Sequence, residues 1–262
     1  MEGLLAIADL HVEVPENRAF ADEIRPERDG DWLIVAGDVG EVLADVEGAL
    51  DGLAARFEQV VWVPGNHELW TRPDDPATLR GEARYRHIVD HCRALGIVTP
   101  EDEFPVWDGP GGPAVVAPLF TLYDGSFLTA DGHVDGGVVC SDEVVLFPEP
   151  HASVADWCAE RVPATRARLE ALDPALPTVL VSHFPLIREP TRSLFYPEFA
   201  RWCGTTATAD WHTRFRALAV VYGHLHIPRT EVYDGVRFEE VSIGYPREWR
   251  WRGRPPSVRR IL

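Results

Sequence analysis

Lysine is absent from the sequence, and positive charge of any kind is scarce. All 25 basic residues are arginines, and 42 acidic residues give the 262-residue chain a formal net charge of −17. Nucleic-acid binding needs basic side chains that neutralise phosphates, and docking to anionic lipid needs a cationic surface. The charge therefore argues against a general nucleic-acid or membrane-surface protein. The exclusive use of arginine is typical of GC-rich coding sequences; selection of arginine for phosphate contacts is the alternative.

Cysteine is also sparse, and no long apolar run is present. The four cysteines, Cys92, Cys140, Cys158 and Cys203, form no C-x-x-C pair, which excludes a disulfide scaffold and a structural zinc site. No apolar run approaches the roughly 18–20 residues that a membrane span needs. The first apolar run begins at Leu4, which leaves no room for a signal peptide before it. We therefore expect a soluble, cytoplasmic protein, and its oligomeric state stays open.

The hydrophobic residues, 45% of the chain, fall mainly into short runs that each end in a polar cluster. Short continuous runs of this kind predict buried strands that are covered on both faces. Helical periodicity over residues 41–56, 78–95 and 152–172 alternates with them, and strands that alternate with helices indicate a layered α/β fold. Without repeats or a linker, we expect a single domain over residues 1–262. The five strand-like runs are 4–8, 32–36, 60–63, 178–181 and 217–222.

Four further segments have individual predictions. A strand is expected over residues 114–120, and residues 230–245 predict a hairpin that turns at Asp234-Gly235. Residues 121–150 and 184–214 are expected to be long loops, the first either a lid or an acidic surface insertion. Residues 247–260 contain six arginines and one glutamate, a local charge of +5, so the remainder carries −22. This Arg-rich segment predicts either a docking strip for an acidic partner or a solvated, fraying tail.

Polar side chains that can bind metal follow all five strand-like runs. Taken singly, an Asp or Asn after a strand is usually a turn residue, and a lone His is usually a surface residue. Together, four imidazoles, two carboxylates and one amide oxygen form a nitrogen and oxygen ligand set that suits two divalent metals. The i, i+2 spacing of Asp9 with His11, and of His224 with His226, predicts that each pair shares one side of its segment. The candidate residues are Asp9, His11, Asp38, Asn66, His67, His183, His224 and His226.

These blocks resemble the calcineurin-like metallophosphoesterases, whose pattern is D-x-H, G-D, G-N-H-[DE], H and G-H-x-H. The chain reads Asp9-Leu10-His11, Gly37-Asp38, Gly65-Asn66-His67-Glu68, His183 and Gly223-His224-Leu225-His226 in the same order. The resemblance implies a four-layer αββα sandwich, two β-sheets flanked by helices. It also implies a metal-dependent phosphoric ester hydrolase in which a metal-activated water attacks the phosphoester. Two divalent or trivalent ions are expected, Mn or Fe in first place and Zn or Mg as alternatives.

The resemblance further implies a role for each residue. Asp9, His11, Asp38 and His226 would hold one metal, and Asp38 would bridge to a second that is completed by Asn66, His183 and His224. His67 would act as a general acid toward the leaving oxygen. Glu41, three residues after Asp38, is a candidate to orient His67, whereas Glu68 is expected to cap or pair locally.

The substrate is indicated by segments mostly outside these motifs, which resemble an actinobacterial branch of the family that contains the phosphopantetheinyl hydrolase. These segments are 202–205, 210–215, 221–228, 234–238 and 244–249. This likeness implies hydrolysis of a serine phosphodiester and release of 4′-phosphopantetheine from holo-acyl carrier protein, which would then be the partner. One alternative is a phosphatase or phosphodiesterase of small nucleotides. Another, of a different class, is a non-catalytic scaffold on the same fold.

Overall fold

The computed structural model of the chain describes residues 2–128, 140–253 and 255–262. No helix in these ranges is long and apolar enough to cross a membrane. The strands of the described residues are β1 (Leu4–Ile7), β2 (Trp32–Val35), β3 (Gln59–Trp62), β4 (Val106–Trp107), β5 (Ala114–Pro118), β6 (Thr178–Val181), β7 (Ala217–Tyr222), β8 (Arg229–Tyr233), β9 (Val236–Glu240) and β10 (Arg259–Arg260). The α-helices are α1 (Pro15–Glu23), α2 (Leu43–Ala54), α3 (Gly81–Ala94), α4 (Asp142–Val145), α5 (Val154–Glu170), α6 (Trp211–Arg214) and α7 (Pro246–Trp249).

The strands form two mixed sheets. One has the order β10-β1-β2-β3 and the other the order β4-β5-β6-β7-β9-β8. β1, β2 and β3 run parallel, as do β5, β6, β7 and β9, whereas β10, β4 and β8 pair antiparallel at the edges. The parallel central strands therefore present their carboxyl ends on a common side.

Alternate residues of each central strand belong to two different cores. Leu4 and Ala6 of β1 pack with Val179 and Val181 of β6 in a core between the sheets. Leu5 and Ile7 of β1 belong to a second core that includes the apolar faces of α2 and α3. Because strand side chains alternate between faces, a strand covered on both sides must be apolar throughout. The predicted αββα sandwich of two sheets flanked by helices is confirmed.

The long helices and the hairpin agree with the sequence patterns. The helices predicted over 41–56, 78–95 and 152–172 are α2, α3 and α5, each one to three residues shorter at its ends. The predicted strand over 114–120 is β5, and the hairpin is β8 and β9. Its turn residues Asp234 and Gly235 both have positive φ, 51° and 81°, as a two-residue hairpin turn of this twist requires.

The segment predicted as a long loop, residues 184–214, contains regular turns that the sequence pattern did not indicate. The segment folds into short 3₁₀ turns, Glu189–Ser193, Pro197–Trp202 and Thr206–Thr208, followed by α6. Trp202 and Trp211 are buried and attach the segment to the core. Its helical pieces are only three to six residues long, which is too short for a helical periodicity to show in the sequence. In the loop predicted over 121–150, α4 is present, and residues 129–139 lie outside the described residues.

The Arg-rich segment is not a fraying tail. α7 and a 3₁₀ turn, Arg250–Arg252, carry Trp249, whose side chain is buried. After Arg254, which lies outside the described residues, β10 pairs antiparallel with β1, and Ile261 is buried between the sheets. The chain end therefore completes the first sheet.

Candidate metal centre

The seven predicted metal ligands lie together where the parallel strands of the two sheets end. The sheets meet at this edge through the backbone, since Ala8 N–H donates to Val241 C=O at 3.1 Å and Ile243 N–H donates to Ala8 C=O at 2.9 Å. Six of the seven side chains are buried, and the seventh, His226, is partly buried. They are Asp9, His11, Asp38, Asn66, His183, His224 and His226.

Backbone strain is concentrated at the same positions. A positive φ is uncommon for residues other than glycine, and such strain persists where surrounding structure holds it, often at functional sites. Five of the seven residues have one: Asp9 (56°), His11 (44°), Asp38 (55°), His224 (70°) and His226 (55°). The loops thus turn sharply in order to aim these side chains at one point.

Two glycines of the motifs are required by close approach of the loops. A Cβ on Gly65 would lie 2.0 Å from Asp38 Oδ1, and a Cβ on Gly223 would lie 2.2 Å from Asp9 Oδ2. Either contact is impossible without moving a candidate ligand. The glycine before Asn66 and the one before His224 therefore let the loops pack against the carboxylates.

The candidate ligand atoms converge in two groups. In the first, His226 Nε2 lies 3.1 Å from Asp9 Oδ1 and 3.2 Å from His11 Nε2. In the second, His183 Nε2 lies 3.3 Å from Asp38 Oδ2, and its distances to Asn66 Oδ1 and His224 Nδ1 are 3.1 and 3.2 Å. Ligands about 2.1 Å from one ion are separated by about 3.0–3.4 Å, so both groups have the spacing that a metal requires.

The tautomers of two histidines suit metal binding. His183 Nδ1–H donates to the backbone carbonyl of Ala36 at 2.9 Å, and His226 Nδ1–H donates to Glu248 Oε2 at 2.8 Å. In both rings this leaves the Nε2 lone pair directed into its group. A carboxylate or carbonyl behind a ligating imidazole is a common arrangement that orients the ring and raises its basicity.

Two carboxylates of the centre are held in the ionised form, and one imidazole is held neutral. Although burial opposes ionisation, the nearby His226 lowers the pKa of Asp9 to about 2. Burial likewise opposes ionisation of Asp38, yet His183 and His67 hold its pKa well below the usual range. Burial, reinforced by His183, lowers the pKa of His224 to about 3, which keeps its ring neutral. Ionised carboxylates and a neutral imidazole are the forms that bind metal.

Asp38 occupies the position that a bridging ligand needs. Its carboxylate belongs to one possible metal-binding group with His11 and His67 and to another with His183 and His224. Glu68 holds the backbone beside it, since Oε2 accepts from Asp38 N–H at 2.9 Å and Oε1 from Val39 N–H at 2.8 Å. Glu68 Oε2 also accepts from Gly65 N–H at 2.9 Å, so Glu68 caps its own loop, as expected, and in addition contacts a loop 30 residues away.

His67 faces the centre from the adjacent cavity. Its Nδ1 lies 3.2 Å from Glu41 Oε1, its Nε2 lies 3.7 Å from Asp38 Oδ2, and Trp70 stacks on the ring with centroids 3.6 Å apart. Burial opposes protonation, but Asp38 and then Glu41 raise the pKa of His67. The structure thus brings Glu41 to the expected atom, and the roles of both residues stay predictions.

The cavity is open on one side and has a volume of about 560 Å³. Candidate ligands and His67 form its floor, and aromatic residues together with Arg247 form its wall. The lining includes Asp38, Asn66, His67, His224, His226, Trp70, Phe195, Tyr196, Phe199, Tyr245 and Arg247.

Asp142, which the sequence analysis did not identify, determines which way the Asn66 amide points. Its Oδ1 accepts from Asn66 Nδ2 at 2.9 Å and from Trp70 Nε1 at 2.7 Å, and its Oδ2 accepts from the Tyr123 hydroxyl at 2.7 Å. With the Asn66 amino group held by Asp142, Asn66 Oδ1 must face His183, as a metal ligand requires.

We expect Asp142→Ala to weaken metal binding by about 10- to 100-fold, because Asn66 is then free to rotate. Asp142→Asn is the matched control: its oxygen can still accept from Asn66 and Trp70 while its amino group donates to Tyr123. Calorimetric titration of metal-stripped protein with Mn²⁺ measures the affinities. Equal losses in both variants, or full affinity in Asp142→Ala, would show that Asp142 does not position Asn66.

Three other buried or partly buried residues near the centre, Ser242, Glu240 and Glu248, were not predicted from the sequence. Ser242 donates to Asp9 Oδ2 at 2.7 Å and also contacts Glu240, whose pKa is raised to about 7 by burial and by Asp9. A hydroxyl that donates to Asp9 can only accept from a protonated Glu240. Glu248 lies behind His226, in a segment whose sequence is distinctive. A ligating imidazole usually has a hydrogen-bond acceptor behind it, and this rule was the signal that could have pointed to Glu248.

Residues 4–228 match the calcineurin-like phosphoesterase family, and the chain belongs to it. The family consists of metal-dependent phosphoesterases, so the prediction of a metal-dependent phosphoric ester hydrolase is confirmed. The scaffold alternative is not supported.

Two comparisons concern individual relatives. The chain is 55% identical over 268 residues to the acyl-carrier-protein phosphodiesterase PptH of Mycobacterium tuberculosis, across 99% of this chain and 83% of the relative. It also superposes on the crystal structure of phosphopantetheinyl hydrolase (PptH) from the same organism with a TM-score of 0.96 and 54% identity, covering 100% of this chain and 96% of the other.

Proposed function

We propose that this chain hydrolyses the phosphodiester that joins 4′-phosphopantetheine to a serine of holo-acyl carrier protein. The identity to an acyl-carrier-protein phosphodiesterase carries the proposal, because it extends over 99% of the chain and far beyond the metal-binding motifs. The buried, complete ligand set supports a catalytic role on the same fold.

The candidate residues divide into two metal sites in this proposal. Asp9, His11, Asp38 and His226 hold one ion, and Asp38, Asn66, His183 and His224 hold the other. The nitrogen and oxygen donors suit Mn or Fe, with Zn or Mg as alternatives. When bound, such ions polarise a phosphate and lower the pKa of a bound water.

His67 serves the leaving group. A water oxygen bonds to phosphorus and releases one proton to solvent, the bond from phosphorus to the serine Oγ breaks, and the serine leaves as an alcohol once it gains a proton. His67 Nε2, which faces Asp38 across 3.7 Å, donates that proton. Glu41 holds Nδ1 from behind and is in turn paired with Arg72, so the ring stays aimed at the cavity.

The reaction is proposed to take place in the cytosol. All four cysteines are unpaired and buried, and burial raises the pKa of each thiol. Unpaired structural cysteines are typical of a reducing compartment.

The test is release of 4′-phosphopantetheine from holo-acyl carrier protein, measured beside a nucleotide panel and a bis-aryl phosphodiester. Each substrate is assayed with Mn²⁺, with EDTA, and with an Asn66→Ala variant as the inactive control. We expect turnover of the carrier protein that is lost with EDTA and in the variant. Turnover of nucleotides or the aryl diester alone would overturn the substrate assignment and leave the metal centre intact.

A further inference from the structure

We infer that the mouth of the catalytic cavity is a docking surface for an acidic carrier protein. The surface, here called the rim, consists of Phe195, Tyr196 and Arg247, which line the cavity, and of Trp251 and Arg252 on the turn that follows, where Trp251 Nε1 donates to the backbone carbonyl of the cavity-lining Glu248 at 2.8 Å. This inference rests on the proposed function and names the residues that would contact the protein part of the substrate.

The rim holds the three exposed aromatic side chains of the described residues. Phe195, Tyr196 and Trp251 are 87%, 60% and 75% exposed, whereas the other aromatic rings in the described ranges are buried or half-buried. Phe195 and Tyr196 contact each other edge to face, with centroids 4.9 Å apart, and both line the cavity. Exposed aromatics gathered at one place are typical of a protein–protein contact.

Cationic side chains complete the rim. The exposed Arg247 lines the cavity and lies over the Tyr245 ring at 4.9 Å. Trp251 follows one helical turn later, and its ring is covered by the exposed Arg252 at 4.6 Å. In a chain of net charge −17, residues 247–260 carry a local charge of +5, which favours an acidic partner.

The rim is joined rigidly to the metal centre at two points. Phe199, three residues after Tyr196, stacks on His224 with centroids 5.5 Å apart and planes 19° apart. Glu248, next to Arg247, accepts from His226 Nδ1–H at 2.8 Å. A partner seated on the rim is therefore held at a defined position relative to the candidate ligands.

The chemistry of the proposed substrate requires such a contact. Three covalent bonds, Cα–Cβ, Cβ–Oγ and Oγ–P, separate the carrier-protein backbone from the phosphorus that reacts. When the phosphate reaches His67 and the candidate ligands, the surface around that serine must lie against the cavity mouth. A small diester has no such surface, so it cannot make this protein contact.

Two rim variants, Phe195→Ser/Tyr196→Ser and Arg247→Glu, test the inference, with Val232→Ser and Arg166→Glu as exposed controls away from the cavity. We expect each rim variant to lower kcat/KM for holo-acyl carrier protein about tenfold or more and the controls to leave it unchanged. For the bis-aryl diester, the controls should leave kcat/KM unchanged, and the loss in each rim variant should be several-fold smaller than its loss for the carrier protein, because the diester can contact the cavity wall but not the protein-docking part of the rim.

The outcomes separate the two proposals. A wild-type enzyme that cleaves the diester but not the carrier protein overturns the proposed function itself. Carrier-protein turnover that survives in both rim variants, or falls equally with diester turnover, overturns the docking surface alone. A rim variant whose sedimentation shows a lost dimer would assign the surface to a second copy of this chain, and would overturn the carrier-protein assignment as well.

Discussion

Replacing His67 with glutamine is expected to reduce kcat for the serine phosphodiester by about 10²- to 10⁴-fold, the usual contribution of a positioned general acid. A serine alkoxide is a poor leaving group and needs a proton, which the raised pKa of His67 keeps available. Nitrophenolate leaves without a proton, so the loss for a bis-nitrophenyl diester should be much smaller. Paired measurements of kcat on the two substrates check this.

Glu41→Gln is the companion variant, since it keeps a side chain beside His67 Nδ1 but removes the carboxylate that lies 3.2 Å away. We expect kcat for the serine phosphodiester to fall about 10- to 100-fold. As for His67, the fall in kcat for the bis-nitrophenyl diester should be much smaller. His67 also lies within reach of His11 and Asp38 as a possible ligand. Equal losses on both substrates, together with reduced metal content in His67→Gln, would make His67 a metal ligand and remove the general-acid assignment.

Replacing Arg84 with methionine is expected to lower the free energy of unfolding by about 3–5 kcal/mol, because it leaves a buried carboxylate without its partner. Arg84 is fully buried in α3 and pairs with Asp75 at 2.9 Å. It also donates to the backbone carbonyls of Glu68 at 2.7 Å and Glu41 at 2.9 Å. One guanidinium thus holds the loops that carry Asp38, Asn66 and His67.

Urea unfolding of the metal-stripped protein measures this effect without a contribution from metal binding. Arg86→Met, two residues along the same helix, removes an exposed arginine paired with Glu82 and should cost about 1 kcal/mol or less. If Arg84→Met costs no more than Arg86→Met, the buried pair does not support the loops.

The candidate ligands could be predicted because each is encoded in a few consecutive residues. A buried strand is apolar throughout, and Asp38, Asn66 or His224 follows its strand within a few positions, next to a glycine that the loop packing requires. The long amphipathic helices were predictable for the same reason, since their pattern repeats over 12 to 17 residues.

The residues that orient those ligands could not be predicted in the same way. Asp142 lies 76 residues from Asn66, Ser242 lies 233 residues from Asp9, and Glu248 lies 22 residues from His226. Nothing in the local pattern distinguishes Asp142 from the rest of the 42 acidic residues, and the distinctive segment around Glu248 does not indicate which histidine Glu248 contacts. Their selection depends on which distant loop the packing brings behind each ligand.

By itself, the sequence determined the layered α/β class, the central strands and the set of candidate metal-binding side chains, because burial and periodicity are local properties. Only the tertiary structure decided that residues 184–214 fold into helical turns along the cavity and that the Arg-rich end pairs with β1. It also decided which way the Asn66 amide and the His226 ring point. These features depend on contacts between segments far apart in the chain, and such contacts exist only once both sheets have packed together.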